Sequence, residues 1–500
     1  MRLFETLTLI ALLLSLSSLF VPRPKRPRWL AYLPGLAVLF ALIHLALEGY
    51  RWQMVPAYGL TVLLFLGTGR GIFSGIRVRR DPPSRQRRVP KTIGTVLGLL
   101  VLIVAAALPA LVPVFRLPKP TGPYAVGTQY FLWTDGARLD ESTTDLGDLR
   151  EVSVQIWYPA ELSGGDKPIR YMRQDAGRAF AHFQDLPGFL LDHLALVRTH
   201  AYLGADVAQT GAPFPVITYS TSGLMSSHMT LFEELASRGY VVLCIGHPYW
   251  NPYVYGSGGE AIPFDGQNEY YRAWWAEADS AAVGEAKSQI TLARSAAAQE
   301  RAHLRHNELM PVAVDDLRTW AVDIGFVLDE LAAMEQDAGF LAGALDLEHI
   351  GIMGFSKGGA AAGQFCVTDA RCEAGINLSG FMYGDILNVN LDTPFFFFSE
   401  EELWCPDCFV NDLFYKRAES DAYQMKIRGA RHASFGDLCL WGQWLQWASG
   451  NPTIGGERMT TIQNVYSLAF FDKHLKGLAA PLLEGPSPDY PEVVFKSRHP

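Results

Sequence analysis

The sequence predicts an α/β domain with a mostly parallel central sheet covered by helices on both faces, preceded by four transmembrane helices. Short apolar runs alternate with helical segments along residues 213–475, which is typical of parallel strands joined by covering helices. Four long apolar runs lie in the first 118 of the 500 residues. We therefore divide the chain into a membrane anchor, residues 1–118, and an outer domain, residues 119–500.

The apolar runs of the anchor cover about 4–21, 29–48, 54–73 and 93–115. Each is near the roughly 20 residues that a helix needs to cross a bilayer. Arginine and lysine are concentrated in the loops after the first and third runs, and the positive-inside rule puts such loops in the cytoplasm. The sequence thus predicts a multi-pass protein of the cell membrane whose outer domain is extracytoplasmic.

Charge is distributed unevenly between the two parts. Residues 1–119 contain sixteen Lys or Arg and three Asp or Glu, whereas the remainder contains 26 basic and 48 acidic residues. An outer domain this acidic is a poor partner for polyanions, so we predict that it does not bind nucleic acid.

The six cysteines all lie in the outer domain, where disulfides are allowed. For Cys405 and Cys408 we favour a disulfide or a structural thiol pair, and we predict a second bridge between Cys366 and Cys372. Because no further C-x-x-C or histidine cluster completes a zinc site, we predict neither a metal nor a cofactor.

The elements of the outer domain follow from apolar periodicity. An early strand, 151–158, alternates apolar and polar residues, and residues 160–212 suggest only short helices. We then predict strands at 214–219, 240–245, before Ser356, at 373–379, 394–398 and 423–428, and helices at 228–238, 312–334 and 458–475.

Residues 256–310 interrupt this alternation with a long Ala/Glu/Gln/Arg segment that contains Trp274 and Trp275. We interpret the segment as a helical lid over the carboxyl edge of the sheet. For the two tryptophans, ordinary packing of the lid is favoured over a role in gripping an acyl chain or a membrane.

Ser356 is the centre of a G-x-S-x-G motif between an apolar strand and an alanine-rich helix. This is the pattern of a nucleophile elbow, in which a sharp turn exposes the serine hydroxyl at the end of a strand. In folds of this kind the acid and then the histidine follow the serine. His432, His474 and His499 do so, and His432 is predicted as the general base because it lies just beyond a strand in a glycine-containing loop.

An oxyanion formed at Ser356 needs backbone N–H donors. One is predicted at Lys357, directly after the nucleophile. The other should come from the loop after strand 214–219, where we favour Leu224.

Five blocks, at 120–127, 216–224, 354–359, 394–400 and 426–432, resemble those of the plasma-type platelet-activating factor acetylhydrolases in the same order. The resemblance implies an α/β-hydrolase fold and metal-free hydrolysis of acyl esters, typically on glycerophospholipids. It also implies Ser356 as nucleophile, His432 as base, and Leu224 with Lys357 as oxyanion donors.

The resemblance fails at the acid, because Ser379 occupies the position of the family's aspartate. Three glutamates at 400–402 follow the next strand, where many other α/β-hydrolases have their acid. Glu402 matches that site best by spacing, with Glu401 and Asp385 as alternatives. If these glutamates form only a solvated loop, the site is impaired or inactive.

Together these patterns predict a membrane-embedded serine esterase or lipase that acts on acyl-ester or phospholipid substrates through an acyl-enzyme. Two alternatives stay open. One is an acyltransferase that uses the same site, and the other is a catalytically inactive membrane module that binds a lipid.

Overall fold

The computed structural model describes residues 1–22, 25–72, 88–140, 142–143, 147–264, 268–293, 295–336, 339–401 and 410–499. The chain forms two compact units. The first comprises Met1–Arg116 with the segments Phe189–Val197 and Trp441–Trp444, and the second comprises Leu117–Gly188, Arg198–Leu440 and Leu445–Pro500.

The first unit is helical. Its helices are α1 (Leu3–Ser18), α2 (Leu33–Ile43), α3 (Val55–Ile72) and α4 (Arg88–Leu111). A 3-10 turn precedes α2, and a π-helical turn, His44–Glu48, continues it. The helices share a small apolar core that includes Leu12, Ala37 and Ala57.

Two helical stretches among the described residues are apolar and long enough to cross a membrane, Arg28–Glu48 and Ile93–Leu111. Helix α1 is apolar but has only 16 residues, and at 1.5 Å per residue it reaches about 24 Å, less than the roughly 30 Å of a hydrocarbon core. Trp52–Gly67, which includes the first part of α3, is also apolar and is shorter within the residues whose side chains the structure describes. The prediction of four transmembrane helices is therefore not supported; two stretches qualify among the described residues, and the first predicted run, 4–21, extends beyond the end of α1 at Ser18.

The second unit is built on a large sheet. Its strands are β1 (Ala125–Leu139), β2 (Leu149–Glu161), β3 (Pro168–Arg170), β4 (Arg198–Leu203), β5 (Asp206–Val207), β6 (Phe214–Thr221), β7 (Val241–Gly246), β10 (Leu345–Phe355), β11 (Ala374–Leu378), β12 (Phe395–Glu400), β13 (Ala422–Ile427) and β14 (Val493–Arg498). Two further strands, β8 (Tyr253–Tyr255) and β9 (Ala261–Pro263), form a separate hairpin. Within the described residues the large sheet has the order β14-β13-β12-β11-β10-β6-β7-β2-β1-β4-β3, and β5 pairs with β2.

The six neighbouring strands from β13 to β7 are all parallel. Every residue of β6 and β7 is buried, as expected for strands covered on both faces. Antiparallel pairs flank this centre, β2 with β7 on one side and β14 with β13 on the other. The prediction of an α/β fold with a mostly parallel sheet is confirmed.

The helices of this unit are α5 (Gln174–Phe183), α6 (Met229–Ser237), α7 (Glu269–Ala278), α8 (Ala281–Leu292), α9 (Ala296–Glu308), α10 (Pro311–Gln336), α11 (Lys357–Thr368), α12 (Asp412–Arg417), α13 (Gln443–Ala448) and α14 (Gly456–Lys476). Helix α10 packs against α11, and α14 packs against α6. On β10, Ile352 belongs to the core that includes α10 and α11, whereas Gly351 faces Phe471 of α14. Since successive strand residues point to opposite faces, the two helix pairs cover opposite faces of the sheet.

Helices α7, α8 and α9 form the predicted helical insertion between β7 and α10. The hydroxyls of Ser280 and Ser295 cap α8 and α9 by accepting hydrogen bonds from the backbone N–H groups of Val283 and Ala298. We call this segment the lid.

Sequence patterns missed several strands at the sheet margins. Strand β1 pairs along most of its length with β2, yet only some of its residues are buried, so it lacks a continuous apolar run. The short strands β3, β4 and β14 are likewise partly exposed.

Cys366 and Cys372 form the predicted disulfide, which joins the end of α11 to the chain entering β11. Cys244 and Cys439 are buried free thiols. Cys405 and Cys408 lie outside the described residues.

Buried histidines make this unit sensitive to acid. Burial lowers the pKa of four of them: to about 3 for His228 and His303, and to about 4 for His247 and His306. Each is neutral in the folded state at pH 6, whereas in the unfolded chain its pKa returns to about 6.5.

We expect the free energy of unfolding to fall as the pH drops from 6.5 to 4.5, because these histidines become protonated in the unfolded chain but stay neutral in the folded state. Each contributes up to about 1.4 kcal/mol per pH unit. Buried Asp437, with its pKa raised to about 8, opposes this trend with one proton. Urea unfolding at pH 7, 6 and 5 measures how the free energy of unfolding changes with pH. The substitution His303→Gln should reduce this slope by up to about 1.4 kcal/mol per pH unit, the contribution of one proton. A pH-independent midpoint would contradict the expectation.

Candidate active site

Ser356 lies between β10 and α11 with backbone angles φ 57° and ψ −122°, a strained conformation for a residue with a side chain. The two glycines of the motif allow this turn. A Cβ at Gly354 would lie 2.1 Å from the carbonyl oxygen of Gly358, and one at Gly358 would lie 1.8 Å from that of Ser220. The tight approach of β10, α11 and β6 thus excludes side chains on both sides of the serine and leaves its hydroxyl exposed at the strand end.

His432 lies in a 3-10 turn, His432–Ser434, that follows β13. Its Nε2 is 3.1 Å from Ser356 Oγ, within hydrogen-bond distance. The imidazole also stacks on the ring of Phe355, with the centroids 4.8 Å apart. The structure therefore brings the predicted nucleophile and base together.

The other imidazole nitrogen faces a serine and a glutamate. Nδ1 of His432 is 2.6 Å from Ser379 Oγ, whose hydroxyl donates a hydrogen bond of 2.5 Å to Oε2 of Glu400. The second oxygen of Glu400, Oε1, is 3.6 Å from the same Nδ1. Ser379 follows β11 and Glu400 ends β12, so two neighbouring parallel strands deliver these groups to one edge.

This chain of hydrogen bonds selects one tautomer of His432. The Ser379 hydroxyl has a single proton, which it donates to Glu400, so it accepts the proton of Nδ1–H. Nε2 is then free to accept the hydroxyl proton of Ser356, which is what a general base requires. Burial opposes ionisation of Glu400, but the nearby imidazole of His432 and the hydrogen bond from Ser379 outweigh it and hold the pKa of this carboxyl below its usual range.

The acids favoured from the sequence are placed differently. Glu402 lies outside the described residues. Glu401 accepts a 2.8 Å hydrogen bond from the backbone N–H of Gly429. Asp385 pairs with Arg318 at 2.8 Å. Glu400, which spacing did not favour, is the carboxylate that the described residues place beside His432, and the sequence missed it because the strand, predicted to end at 398, extends to Glu400.

The predicted oxyanion donors lie on two elements, the start of α11 and the loop after β6. Lys357 is the first residue of α11, and the first N–H groups of a helix lack acceptors within the helix. Leu224 is buried in the loop after β6, the strand that pairs with β10 as far as Phe355. The amide of Asn251 holds that loop by donating to the carbonyl oxygens of Thr221 and Gly223.

Two cavities meet at Ser356 and share Lys287 and Phe381 in their walls. One, of about 350 Å³, is lined by the polar groups of Ser379, Glu400 and His432. The other, of about 270 Å³, has aromatic walls. Its aromatic lining consists of Trp250, Tyr271, Trp274, Trp275, Phe381 and Tyr383.

The lid contributes Trp274 and Trp275 to the aromatic cavity. Trp274 also packs edge-on against Trp250, with centroids 5.1 Å apart. The two lid tryptophans also pack against each other, with centroids 5.0 Å apart, and both line the cavity beside Ser356.

A second Ser–His–Asp arrangement lies inside the sheet unit. Ser220 Oγ is 3.0 Å from Nε2 of His247, and Nδ1 of His247 is 2.9 Å from Asp323. All three residues are fully buried, and Asp323 also pairs with Arg150 at 2.7 Å. Because no substrate reaches a fully buried serine, we interpret this set as structural.

One group in the first unit has the composition of a metal site, Glu5 with His44 and Glu48. However, the guanidinium groups of Arg2 and Arg51 lie 2.8 Å and 3.1 Å from Glu5 Oε1. These cations already balance the carboxylates, so the donor set does not favour a divalent ion.

A mostly parallel sheet that carries a strained serine between a central strand and a helix, with a histidine at hydrogen-bond distance, defines an α/β-hydrolase. The chain belongs to the family described as platelet-activating factor acetylhydrolase, isoform II, whose model matches residues 111–480. The resemblance seen in the sequence is thereby confirmed.

Individual relatives are distant. A platelet-activating factor acetylhydrolase of Bos taurus is 25% identical over 281 residues, 53% of this chain and 58% of that enzyme. A probable 1-alkyl-2-acetylglycerophosphocholine esterase of Arthroderma benhamiae is 23% identical over 446 residues, 80% of this chain and 98% of that protein. This chain thus spans little more than half the length of the bovine relative.

Among solved structures, a ferulic acid esterase from Streptomyces cinnamoneus superposes with a TM-score of 0.58 and 26% sequence identity. The match covers 77% of this chain and 99% of that chain. Like the family match, it supports a hydrolase of the esterase type.

Proposed function

We propose that this protein is a serine ester hydrolase that acts on acyl esters of lipids and is anchored in a membrane. The observation that carries the proposal is the 3.1 Å contact between Ser356 Oγ and Nε2 of His432, in a chain of this hydrolase family. Lipid esters are favoured because the named relatives include esterases of an acetylated glycerophosphocholine.

In the proposed mechanism, Ser356 attacks the ester carbonyl while His432 takes the hydroxyl proton. The oxyanion receives hydrogen bonds from the backbone N–H groups of Leu224 and Lys357. His432 then protonates the departing alcohol, and water attacks the acyl-enzyme by the reverse proton path. Glu400 stabilises the imidazolium through the Ser379 hydroxyl and by its own charge.

The two cavities suggest how a substrate lies across the serine. We assign the acyl group to the aromatic cavity, because aromatic side chains line it and it includes Lys357, beside the proposed oxyanion site. The alcohol part then occupies the more open cavity near His432, which must protonate it.

Membrane anchorage is supported by the surface of the first unit. Large apolar side chains on its helices are exposed, among them Leu63 at 70% and Ile103 at 64%. Water disfavours an apolar surface of this kind, whereas lipid accepts it. We expect the full chain to stay in the membrane pellet after alkaline carbonate extraction; release into the supernatant would contradict anchorage.

Product analysis tests the activity. The full chain in detergent, given a glycerophosphocholine with a short sn-2 acyl chain, is expected to release the free acid and the lysolipid in equal amounts. Recovery of the acyl group on an added alcohol or lipid instead would identify an acyltransferase. Absence of turnover by folded protein, with no reaction at Ser356, would identify a binding module.

A further inference from the structure

The side chain of Lys357 is unusual for its position. It follows the nucleophile directly, yet its side chain is only 5% exposed and its ammonium group contacts the carboxylate of Asp316. The same nitrogen lies 3.1 Å from the ring centroid of Trp250 and 4.7 Å from that of Trp320. A lysine is rarely buried in this way unless its charge is paired.

The groups around this ammonium are themselves held in place. Asp316 accepts a 2.8 Å hydrogen bond from the indole N–H of Trp250. Trp320 stacks on the imidazole of His247, with centroids 3.8 Å apart and the planes nearly parallel. His247 is in turn fixed by the buried contacts described above. We call Asp316, Trp250 and Trp320 the ammonium cage.

Burial and the positive charge of Arg150 hold the pKa of Lys357 well below its usual value, whereas contact with Asp316 and the indole faces opposes this shift. Methionine would fill similar space beside the elbow without burying a charge. A charge kept here therefore points to a need beyond packing.

We infer that Lys357 is a positioning residue, whose caged ammonium group holds the backbone N–H of residue 357 in place for the oxyanion. The inference rests on the proposed function and extends it to a side chain. The backbone of residue 357 is flanked by strained Ser356 and by Gly358, which lies against β6. The caged side chain adds a third constraint, directed toward α10 and the loop after β7.

The matching control is Lys476. Its ammonium lies 3.5 Å from the ring centroid of Tyr240 and 3.9 Å from Asp472, so it is also a lysine on an aromatic face near a carboxylate. It is at the end of α14 and lines neither cavity. Replacing Lys476 therefore measures how much a lysine on an aromatic ring near a carboxylate contributes to stability, without any effect on the active site.

The experiment compares Lys357→Met with Lys476→Met in the full chain in detergent, on a soluble short-chain p-nitrophenyl ester. Lys357→Met is expected to lower kcat by about 10- to 100-fold, as a misplaced oxyanion donor does, with KM near the wild-type value. Lys476→Met should retain kcat. A wild-type kcat in Lys357→Met would overturn the inference, whereas a wild-type enzyme without turnover would overturn the proposed function instead.

Chemical rescue separates positioning from filling of the cage. In Lys357→Ala, n-propylammonium replaces the deleted methylenes and ammonium but is not joined to the backbone, so it should leave kcat low, as should neutral 1-propanol. Recovery of wild-type kcat with n-propylammonium would overturn the inference. If both Lys357 variants fail to fold, Asp316→Asn preserves the shape of the cage and should lower kcat with little change in KM; an unchanged kcat there would also overturn it.

Discussion

Replacement of Ser356 by alanine is expected to lower kcat for ester hydrolysis by about 10⁴-fold or more, because the acyl-enzyme can no longer form. The hydroxyl at 3.1 Å from Nε2 of His432 is the group that attacks in the proposed mechanism. Binding of a lipid ester should persist, since the alanine leaves both cavities in place. Initial rates on a p-nitrophenyl ester, with binding followed separately, measure the two effects.

The control for this variant is Ser220→Ala. Ser220 is also hydrogen-bonded to a histidine that faces an aspartate, but the set is fully buried. The substitution should retain most of kcat and reduce stability by about 1 kcal/mol, the usual cost of losing a neutral hydrogen bond. A large loss of kcat in Ser220→Ala with normal activity in Ser356→Ala would reverse the assignment.

Glu400→Gln is expected to lower kcat by about 10²- to 10⁴-fold, because a neutral amide does not stabilise the imidazolium and permits the wrong tautomer. The effect arises through two contacts, the 2.5 Å hydrogen bond from Ser379 and the 3.6 Å approach to Nδ1 of His432. KM should change little, since the carboxylate acts on His432 rather than on the substrate.

Two further variants sharpen this expectation. Ser379→Asp places a carboxylate where the family has one, so it should restore kcat in the Glu400→Gln background. The variant Glu402→Gln decides between Glu400, the acid that the structure indicates, and Glu402, the acid predicted from the sequence. A large loss in Glu402→Gln together with normal kcat in Glu400→Gln would contradict the assignment of Glu400.

The parts of the fold that the sequence predicted are those with the simplest environments. Strands such as β6 are buried on both faces, so their apolar runs are continuous. Strand β1 lies toward the sheet margin and mixes buried and exposed residues, and no single period marks it. In the first unit, hydropathy identified the apolar helices, but the first predicted run, 4–21, extends beyond the end of α1 at Ser18.

The candidate site shows a similar division. The motif around Ser356 predicted a turn with close backbone contacts at Gly354 and Gly358, which only glycine allows, and the structure has that turn. The acid depends on long-range geometry, because three successive glutamates differ only in where each side chain points. In the sequence, Ser379 indicated only that the family's aspartate is missing, whereas in the structure its hydroxyl lies between His432 and Glu400.

The most direct test of the central claim is covalent labelling of the full chain with a fluorophosphonate, followed by peptide mass spectrometry. The account predicts one adduct on Ser356, formed at a rate that falls sharply in His432→Ala and absent in Ser356→Ala. Labelling at another serine, or no adduct on folded wild-type protein, would contradict the claim that Ser356 is the nucleophile of an ester hydrolase.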